Sequence, residues 1–153
     1  MPDFKILNTN HTGMTVSDID RTIAFFRDVL GFPVTEKTSH SCPLTEQITG
    51  VEGAAMDIAF VDLHGHKIEL LQYHSPDDRK VSDLRACDAG FMHLALEVDD
   101  VDACLAAIRA GGFEALNPPA SPSAGPRKGG KVVYTRNLDG IVLELQQSPK
   151  PQP

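Results

Sequence analysis

Apolar and polar positions change their period along the chain, and these changes predict its secondary structure. Beyond His11, apolar residues alternate with other residues, which is the spacing of a β-strand. A stretch with helical spacing follows and stops at Gly31. Two short apolar runs, residues 56–63 and 67–72, then predict a pair of strands joined by a tight turn. The apolar side of the predicted helix consists of Ile19, Ile23, Phe26 and Leu30.

The same succession of elements occurs twice in the chain. The segment HTGMTVSDID, which begins at His11, matches HLALEVDDVD, which begins at His93, 82 positions later. The segment GHKIELLQ, which begins at Gly65, matches GIVLELQQ, which begins at Gly140, 75 positions later. Both matches keep the same order within their halves, which favours an internal duplication over chance. The sequence therefore predicts an α+β protein made of two tandem βαβββ modules.

The composition of the remaining stretches gives the module boundaries. We place the first module at residues 5–75, a polar linker at 76–90 and the second module at 91–148. The strands of the second hairpin are predicted at residues 131–135 and 141–146. Weaker patterns predict the first strand after each helix at residues 32–37 and 113–116, a short helix around 44–48, and a binding loop rich in proline and glycine at 118–130.

Four residues with the chemistry of metal ligands fall on one face of the predicted sheets. In the second strand of each hairpin, the apolar neighbours of Glu69 and Glu144 must face the helix, so both carboxylates point to the opposite side. The same alternation places His11 and His93 on that side. A carboxylate in the middle of an apolar strand is costly unless it is paired or binds a metal. A single histidine on a strand is more often structural, but two equivalent His–Glu pairs indicate a metal site.

These motifs resemble the vicinal oxygen chelate superfamily, which includes glyoxalase I, methylmalonyl-CoA epimerase, extradiol dioxygenases and the bleomycin and fosfomycin resistance proteins. The resemblance covers residues 11–147, nearly the whole chain. Its motifs are HTGMTVSDID (11–20), FFRDVLGF (25–32), KIELL (67–71), HLALEV (93–98) and DGIVLEL (139–145). It implies a cupped mixed β-sheet, the glyoxalase-like fold. It also implies one divalent metal ion (Zn, Ni, Co, Mn or Fe(II)) bound by His11, Glu69, His93 and Glu144.

The resemblance implies chemistry on a small carbonyl or thioester substrate. A divalent metal can polarise a carbonyl and stabilise the enolate formed by proton abstraction, and Glu69 or Glu144 is the candidate catalytic base. We therefore expect an isomerase, an epimerase or a lyase similar to methylmalonyl-CoA epimerase or glyoxalase I. The motifs KIELL and HLALEV are similar to the epimerase, whereas the loop at residues 125–130 is more similar to glyoxalase I. In that loop, Arg127 and Lys128 are candidates for binding an anionic group of the substrate.

Some positions depart from both relatives and keep other functions open. Thr15 stands where glyoxalase I has an arginine that contacts glutathione, and the additional base of the epimerase has no aligned match. Glu52 lies near that position, and Glu46 is a weaker candidate. The alternative function is an extradiol-type Fe(II) dioxygenase with two histidines and one glutamate, for which Glu69 is surplus. A resistance or ligand-binding protein is a third interpretation, which the intact set of four ligands disfavours.

Charge and cysteine content indicate which binding partners and which cellular compartment to expect. The net charge of −7 disfavours general binding to nucleic acid or to an anionic membrane. The sequence contains no apolar stretch long enough for a membrane span and no recognisable signal peptide, so we expect a cytoplasmic protein. The three cysteines form no C-x-x-C motif, and their odd number suits a reducing compartment. Exposed edge strands and the family resemblance together lead us to expect a homodimer.

Overall fold

The computed structural model describes residues 3–125 and 127–149, and the chain divides into two compact units between Arg79 and Lys80. The first unit contains β1 (Thr12–Thr15), α1 (Ile19–Ala24) with a π-helical turn at Phe25–Val29, β2 (Thr38–His40), α2 (Pro43–Thr49), β3 (Ala55–Leu63) and β4 (His66–Ser75). The second contains β5 (Leu94–Glu97), α3 (Val101–Ile108) with a 3₁₀ turn at Arg109–Gly111, β6 (Glu114–Ala115), β7 (Lys131–Arg136) and β8 (Val142–Gln147). No helix in this part of the chain is long and apolar enough to cross a membrane.

Each unit is built on a four-stranded mixed sheet with the same topology. The strand order is β1-β4-β3-β2 in the first unit and β5-β8-β7-β6 in the second. The first two strands of each order are parallel and the other neighbours are antiparallel. In the parallel pairs, Gly13 lies opposite Glu69 and Ala95 lies opposite Glu144. The predicted α+β class and the two tandem βαβββ modules are therefore confirmed, and each predicted carboxylate ligand lies on a strand with neighbours on both sides.

One face of each sheet packs against the helix of its own unit. On β4, Ile68 and Leu70 are completely buried, and on β8 Leu143 and Leu145 are completely buried. The helices contribute buried apolar residues to the same cores, among them Ile19 and Phe26 in the first unit and Val101 and Ile108 in the second. Because neighbouring residues of a strand point to opposite faces, Glu69 and Glu144 lie on the side away from the helix. This side of each sheet, which carries His11 and Glu69 or His93 and Glu144, is called the ligand face below.

The start of each long helix is fixed by two acceptors, which occupy equivalent positions in the two units. The N-cap residue Asp18 accepts a hydrogen bond from the amide of Arg21 at 2.9 Å, and Asp100 accepts from the first turn of α3 in the same way. The amide oxygen of Gln72, on β4, accepts a hydrogen bond from the first N–H of α1 at 2.8 Å. Gln147, on β8, does the same for α3 at 3.0 Å. A glutamine on the strand that carries the glutamate therefore joins that strand to the helix in both units.

Removing this glutamine amide is expected to destabilise its unit. In a Gln147→Ala variant, the N–H of Val101 loses its acceptor at a partly buried position. The free energy of unfolding should fall by about 1 kcal/mol, the usual contribution of such a hydrogen bond. Urea denaturation measures the change, and Gln146→Ala is the matched control on the neighbouring residue. Equal losses in the two variants would show that the amide contact does not stabilise the helix.

The predicted strand at residues 32–37 is wrong for most of its length. The structure has only an isolated bridge there, between Val34 and Val61, and the regular strand β2 begins later, at Thr38. Pro33 has no N–H to donate, and the hydroxyl of Thr35 accepts the N–H of Phe60 at 2.9 Å in addition to the backbone contact between the same residues. The ladder is therefore irregular. The strand predicted at 113–116 and the helix predicted at 44–48 are confirmed by β6 and α2.

A polar cluster attaches the edge strand β2 to the sheet. Asp57, on β3, is nearly buried and accepts hydrogen bonds from the hydroxyl of Ser39 at 2.6 Å and from the imidazole of His74 at 3.1 Å. The ammonium group of Lys37 lies 3.8 Å from the same carboxylate and 2.7 Å from Asp20. The hydrogen bond from Ser39 is the main cause that lowers the pKa of Asp57 below its ordinary value, and the contact with His74 adds to it.

This cluster makes the stability of the first unit depend on pH. Because the pKa of Asp57 is lowered in the folded state, its carboxylate stabilises the fold above the pKa of the unfolded state, about 3.9. The contribution is lost as the pH falls through the folded-state pKa. An Asp57→Asn variant should have a free energy of unfolding about 1–2 kcal/mol lower at pH 7. Its difference from the unmodified protein should begin to shrink near pH 4 and vanish only below the lowered folded-state pKa of Asp57. Denaturation at several pH values tests this, and a difference that persists in acid would contradict it.

Candidate metal centre

The first unit brings His11 and Glu69 together on its ligand face. His11 immediately precedes β1, and Glu69 is in the middle of β4, the strand parallel to β1. The imidazole Nε2 of His11 lies 3.1 Å from Oε2 of Glu69, and the side chains are 34% and 19% exposed. The Nδ1 atom donates a hydrogen bond to the amide oxygen of Asn10 at 2.7 Å. In the neutral ring this leaves the lone pair on Nε2, the atom that faces the carboxylate.

The second unit repeats this arrangement with His93 and Glu144. His93 immediately precedes β5, and Glu144 is in the middle of β8, the strand parallel to β5. The Nε2 atom of His93 lies 3.0 Å from Oε2 of Glu144, and the side chains are 34% and 13% exposed. The two distances agree within 0.1 Å although the pairs come from different parts of the chain. The structure therefore gives each unit one imidazole and one carboxylate with the same mutual geometry.

The donor atoms of each pair have the spacing that adjacent ligands of a divalent cation require. Two ligand atoms bound at about 2.1 Å and at right angles to each other lie about 3.0 Å apart. In the first pair, the hydrogen bond from Nδ1 of His11 to Asn10 leaves Nε2 as the ring nitrogen that faces the carboxylate oxygen of Glu69. This contact is favourable only with a cation or an added proton between the two atoms. Two neutral imidazoles and two carboxylates also balance the charge of a divalent ion. The donor set therefore fits such a metal.

A single unit supplies only part of this donor set. Within residues 3–125 and 127–149, no group of three or more histidine, cysteine, aspartate or glutamate side chains is clustered for metal binding. Each unit contributes one imidazole and one carboxylate, as described above.

The loop residues and the additional carboxylates predicted from the sequence are not joined to these pairs. Arg127 is half-buried and Lys128 is exposed, and no described contact of either side chain involves a His–Glu pair. Glu46 accepts a hydrogen bond from the amide of Gly53 at 3.1 Å. Together with Glu52 it lines a cleft of about 720 Å³ beside α2, at the end of the sheet where β3 begins. Glu69 lies far from this cleft. It is opposite Phe60, which is five residues along β3 from Ala55, a residue that lines the cleft. At 3.3 Å per residue this separation is about 16 Å.

Sequence reasoning missed two aromatic residues beside the pairs. Phe60 lies opposite Glu69 and Tyr134 lies opposite Glu144, so they are equivalent in the two sheets. The ring of Phe60 is 5.8 Å from that of His11, whereas the ring of Tyr134 is 4.9 Å from that of His93. The Tyr134 hydroxyl is 3.4 Å from the Nε2 atom of His93. Burial, followed by the charge of Glu144, raises the pKa of Tyr134, so its hydroxyl keeps its proton at neutral pH.

A comparison with known protein families identifies the superfamily of the chain. The model of the glyoxalase/bleomycin resistance protein/dioxygenase superfamily matches residues 8–145. The chain belongs to this superfamily. Within the superfamily, the chain is similar to a 2-epi-5-epi-valiolone epimerase from an Actinomyces species, with 32% identity over 149 residues that cover 94% of this chain and 81% of that protein.

Two further similarities extend over almost the whole chain. The mitochondrial methylmalonyl-CoA epimerase of Mus musculus is 29% identical over 150 residues, which cover 96% of this chain and 76% of that protein. The crystal structure of a glyoxalase family protein from Bacillus cereus superposes with a TM-score of 0.79 at 19% identity, covering 97% of this chain and 99% of that one. The predicted glyoxalase-like fold is confirmed by this superposition.

Proposed function

We propose that the protein is a divalent-metal-dependent enzyme that moves a proton next to a carbonyl group, as an isomerase, an epimerase or a lyase. The observation that carries the proposal is the pair of equivalent His–Glu contacts at 3.1 and 3.0 Å. His11, Glu69, His93 and Glu144 would hold the metal. The metal, Zn, Ni, Co, Mn or Fe(II), would polarise the substrate carbonyl and stabilise the negative charge that develops on its oxygen.

The residues of the two ligand faces supply the proton transfer. Glu69 and Glu144 are the carboxylates in reach of a substrate bound there, and one of them accepts the proton from the carbon next to the carbonyl. Tyr134 keeps its hydroxyl proton beside Glu144, so it can donate a hydrogen bond to a substrate oxygen. Phe60 offers no such donor in the first unit. The second unit is therefore the better candidate for the proton-transferring half.

Relatives of the chain favour proton transfer over the other reactions of the superfamily. The two relatives described above are epimerases, proteins named for methylmalonyl-CoA and for 2-epi-5-epi-valiolone. Epimerisation next to a carbonyl needs a base and a stabilised enolate, which is the chemistry of the proposed donor set. Two further expectations belong to this proposal: a small carbonyl or thioester substrate, and a homodimer that covers the sheet edges.

The proposal is tested by metal analysis together with proton exchange. Purified protein should contain a stoichiometric divalent metal, or bind one after treatment with a chelator and addition of Zn, Ni, Co, Mn or Fe(II). The loaded protein is then incubated in D₂O with methylmalonyl-CoA and, separately, with 2-epi-5-epi-valiolone. We expect metal-dependent exchange of the proton next to the carbonyl in one of them, detected by proton NMR. Protein that binds no stoichiometric metal contradicts the proposal, and oxygen consumption with catechols would favour a dioxygenase instead.

A further inference from the structure

Arg136 lies on the ligand face of the second unit, close to the His93–Glu144 pair. On β7, Val133 and Thr135 are buried toward the helix, whereas Tyr134 contacts the ring of His93. Because side chains alternate along a strand, Arg136 shares the face of Tyr134, about 6.6 Å further along β7. It lies opposite Val142 on β8, two residues before Glu144. The arginine is therefore beside the candidate metal centre and belongs to the same rigid hairpin.

The guanidinium group of Arg136 is held by a backbone carbonyl, and no ion pair joins it to another of the residues that the structure describes. One terminal nitrogen, Nη2, donates a hydrogen bond to the backbone carbonyl of Leu84. The Nε atom is enclosed and has no hydrogen-bond partner within the part of the chain that the structure describes. Glu114, the residue opposite Arg136 on β6, forms an ion pair with Arg109 at 3.5 Å instead. An enclosed donor without an acceptor is unfavourable, so this nitrogen is suited to an acceptor that comes from a bound ligand.

The segment that covers Arg136 is closely packed against the same hairpin. The carbonyl oxygen of Ser82 lies so close to Gly140, in the turn between β7 and β8, that an added Cβ atom would be 1.9 Å from it. Ser82 and Leu84 therefore pass directly over the end of the hairpin. The carbonyl oxygen of Leu84 occupies a position where an oxygen can receive a hydrogen bond from the guanidinium. A neutral carbonyl is a weaker partner for guanidinium than a carboxylate or phosphate oxygen, which forms charge-assisted and often bidentate hydrogen bonds.

The first unit has an acidic residue at the position equivalent to Arg136. The counterpart of Arg136 is Asp62. Arg136 lies opposite Val142, two residues before Glu144, and Asp62 lies opposite Lys67, two residues before Glu69. The two ligand faces therefore differ in charge at this position.

We propose that Arg136 binds an anionic group of the substrate, a carboxylate or a phosphate, next to the carbonyl handled by the His93–Glu144 pair. The inference rests on the proposed function and narrows its substrate class to anionic carbonyl compounds. The oxygen of the anion takes the place of the Leu84 carbonyl and supplies the enclosed Nε with an acceptor. The arrangement makes Arg136 a substrate-orienting residue distinct from Arg127 and Lys128.

The test follows anion binding at Arg136 in the metal-free protein. The ¹⁵N-labelled, chelator-treated protein is titrated at constant ionic strength with malonate and, separately, with inorganic phosphate, and malonamide serves as the uncharged control. The Nε–H resonance of Arg136, assigned by its absence in Arg136→Lys, reports the contact in the unmodified protein. The backbone amide resonances of Leu84 and Tyr134, which every variant retains, give the dissociation constants. Arg136→Gln is the test variant, and Arg109→Gln is the matched control at an exposed arginine of the same unit. Thermal denaturation and metal content are measured for each variant.

We expect a saturable shift of the Arg136 resonance with at least one anion and none with malonamide. The dissociation constant should be similar in the unmodified protein and in Arg109→Gln, and weaker by about tenfold or more in Arg136→Gln, as expected for a lost charge-assisted contact. Arg136→Lys should bind with intermediate strength because an ammonium group lacks the planar fork. Tighter binding of malonate indicates a carboxylate, and tighter binding of phosphate indicates a phosphoryl group.

The inference is overturned if Arg136→Gln binds both anions as tightly as the unmodified protein, or if malonamide shifts the resonance equally. Because the titration uses metal-free protein, it does not depend on the proposed metal site. A protein that binds no metal but binds anions at Arg136 would contradict the proposed function and leave this site in place. A protein that binds metal but no anion would contradict the anion site at Arg136 and leave the proposed function in place.

Discussion

Replacement of His93 by alanine is expected to abolish binding of the divalent metal and the activity that depends on it, while the fold stays intact. The imidazole precedes β5, is about one-third exposed and packs only against Phe91 and Tyr134 among the ring contacts that the structure describes. Its loss removes one of the two proposed nitrogen ligands. Residues that merely support ligands change metal affinity by about 10–100-fold, so loss of a direct ligand should exceed about 100-fold.

The measurement combines metal content, activity and stability in one series. Metal is quantified by elemental analysis after reconstitution, and thermal denaturation should show a change of less than about 1 kcal/mol for this partly exposed side chain. His40→Ala is the matched control, because His40 is exposed on the edge strand β2 and contacts Thr38. If His93→Ala unfolds the protein but leaves its metal content unchanged, His93 is a structural residue and the candidate metal centre loses a ligand.

The second large effect is expected for Glu144→Gln, which keeps the shape of the side chain and removes its charge and basicity. The amide oxygen can still bind a metal, so metal binding should weaken but remain measurable. Proton exchange next to the substrate carbonyl should fall by about 10²–10⁴-fold, the usual contribution of a positioned general base. The kinetics of deuterium incorporation from D₂O measure this effect.

Glu69→Gln is the counterpart in the first unit and distinguishes the two carboxylates. If Glu144 is the base, Glu69→Gln should reduce metal affinity by a similar amount but lower the exchange rate of the fully loaded protein far less. Glu114→Gln serves as the control for a glutamate that is 71% exposed and away from the pairs. Full exchange activity in both Glu144→Gln and Glu69→Gln would show that neither carboxylate is the base in the proposed proton transfer.

Most of the candidate centre was predictable because it depends on strand parity and on the repeat. A hydrophobic strand fixes which residues face the core, so Glu69 and Glu144 had to share the other face. The repeated motifs then assigned His11 and His93 to equivalent positions on that same face. The distance of 3.0–3.1 Å in both pairs is information that only the side-chain conformations contain. It is the geometry that makes the donor set suitable for a metal.

The aromatic neighbours were missed for a reason that the register explains. The hairpins match at an offset of 75 positions through Glu69 and Glu144, but Phe60 and Tyr134 differ by 74. The connection between β7 and β8 is one residue longer than that between β3 and β4, so a linear comparison misaligns the preceding strands. Searching each strand separately would have paired Phe60 with Tyr134 and shown that only one of them carries a hydroxyl.

The misplaced first strand after α1 illustrates a different limit of sequence patterns. Its apolar residues suggested a regular strand at 32–37, but Pro33 and the side chain of Thr35 alter the hydrogen bonds to β3. Competition between a side-chain hydroxyl and a backbone carbonyl for one N–H depends on tertiary placement. Edge segments are the most exposed to this effect because only one neighbour fixes their register.

The position of the glutamates on β4 and β8 has a consequence for how such a protein can diverge. Each of these strands is hydrogen-bonded on both sides, and the segments that open most readily in folded proteins are loops and sheet edges. Folded proteins in general tolerate substitutions, insertions and deletions best in loops, and residues 76–92 form such a connection away from these strands. Changes in the loops can therefore alter substrate preference during evolution, while Glu69 and Glu144 remain on the central strands of their sheets.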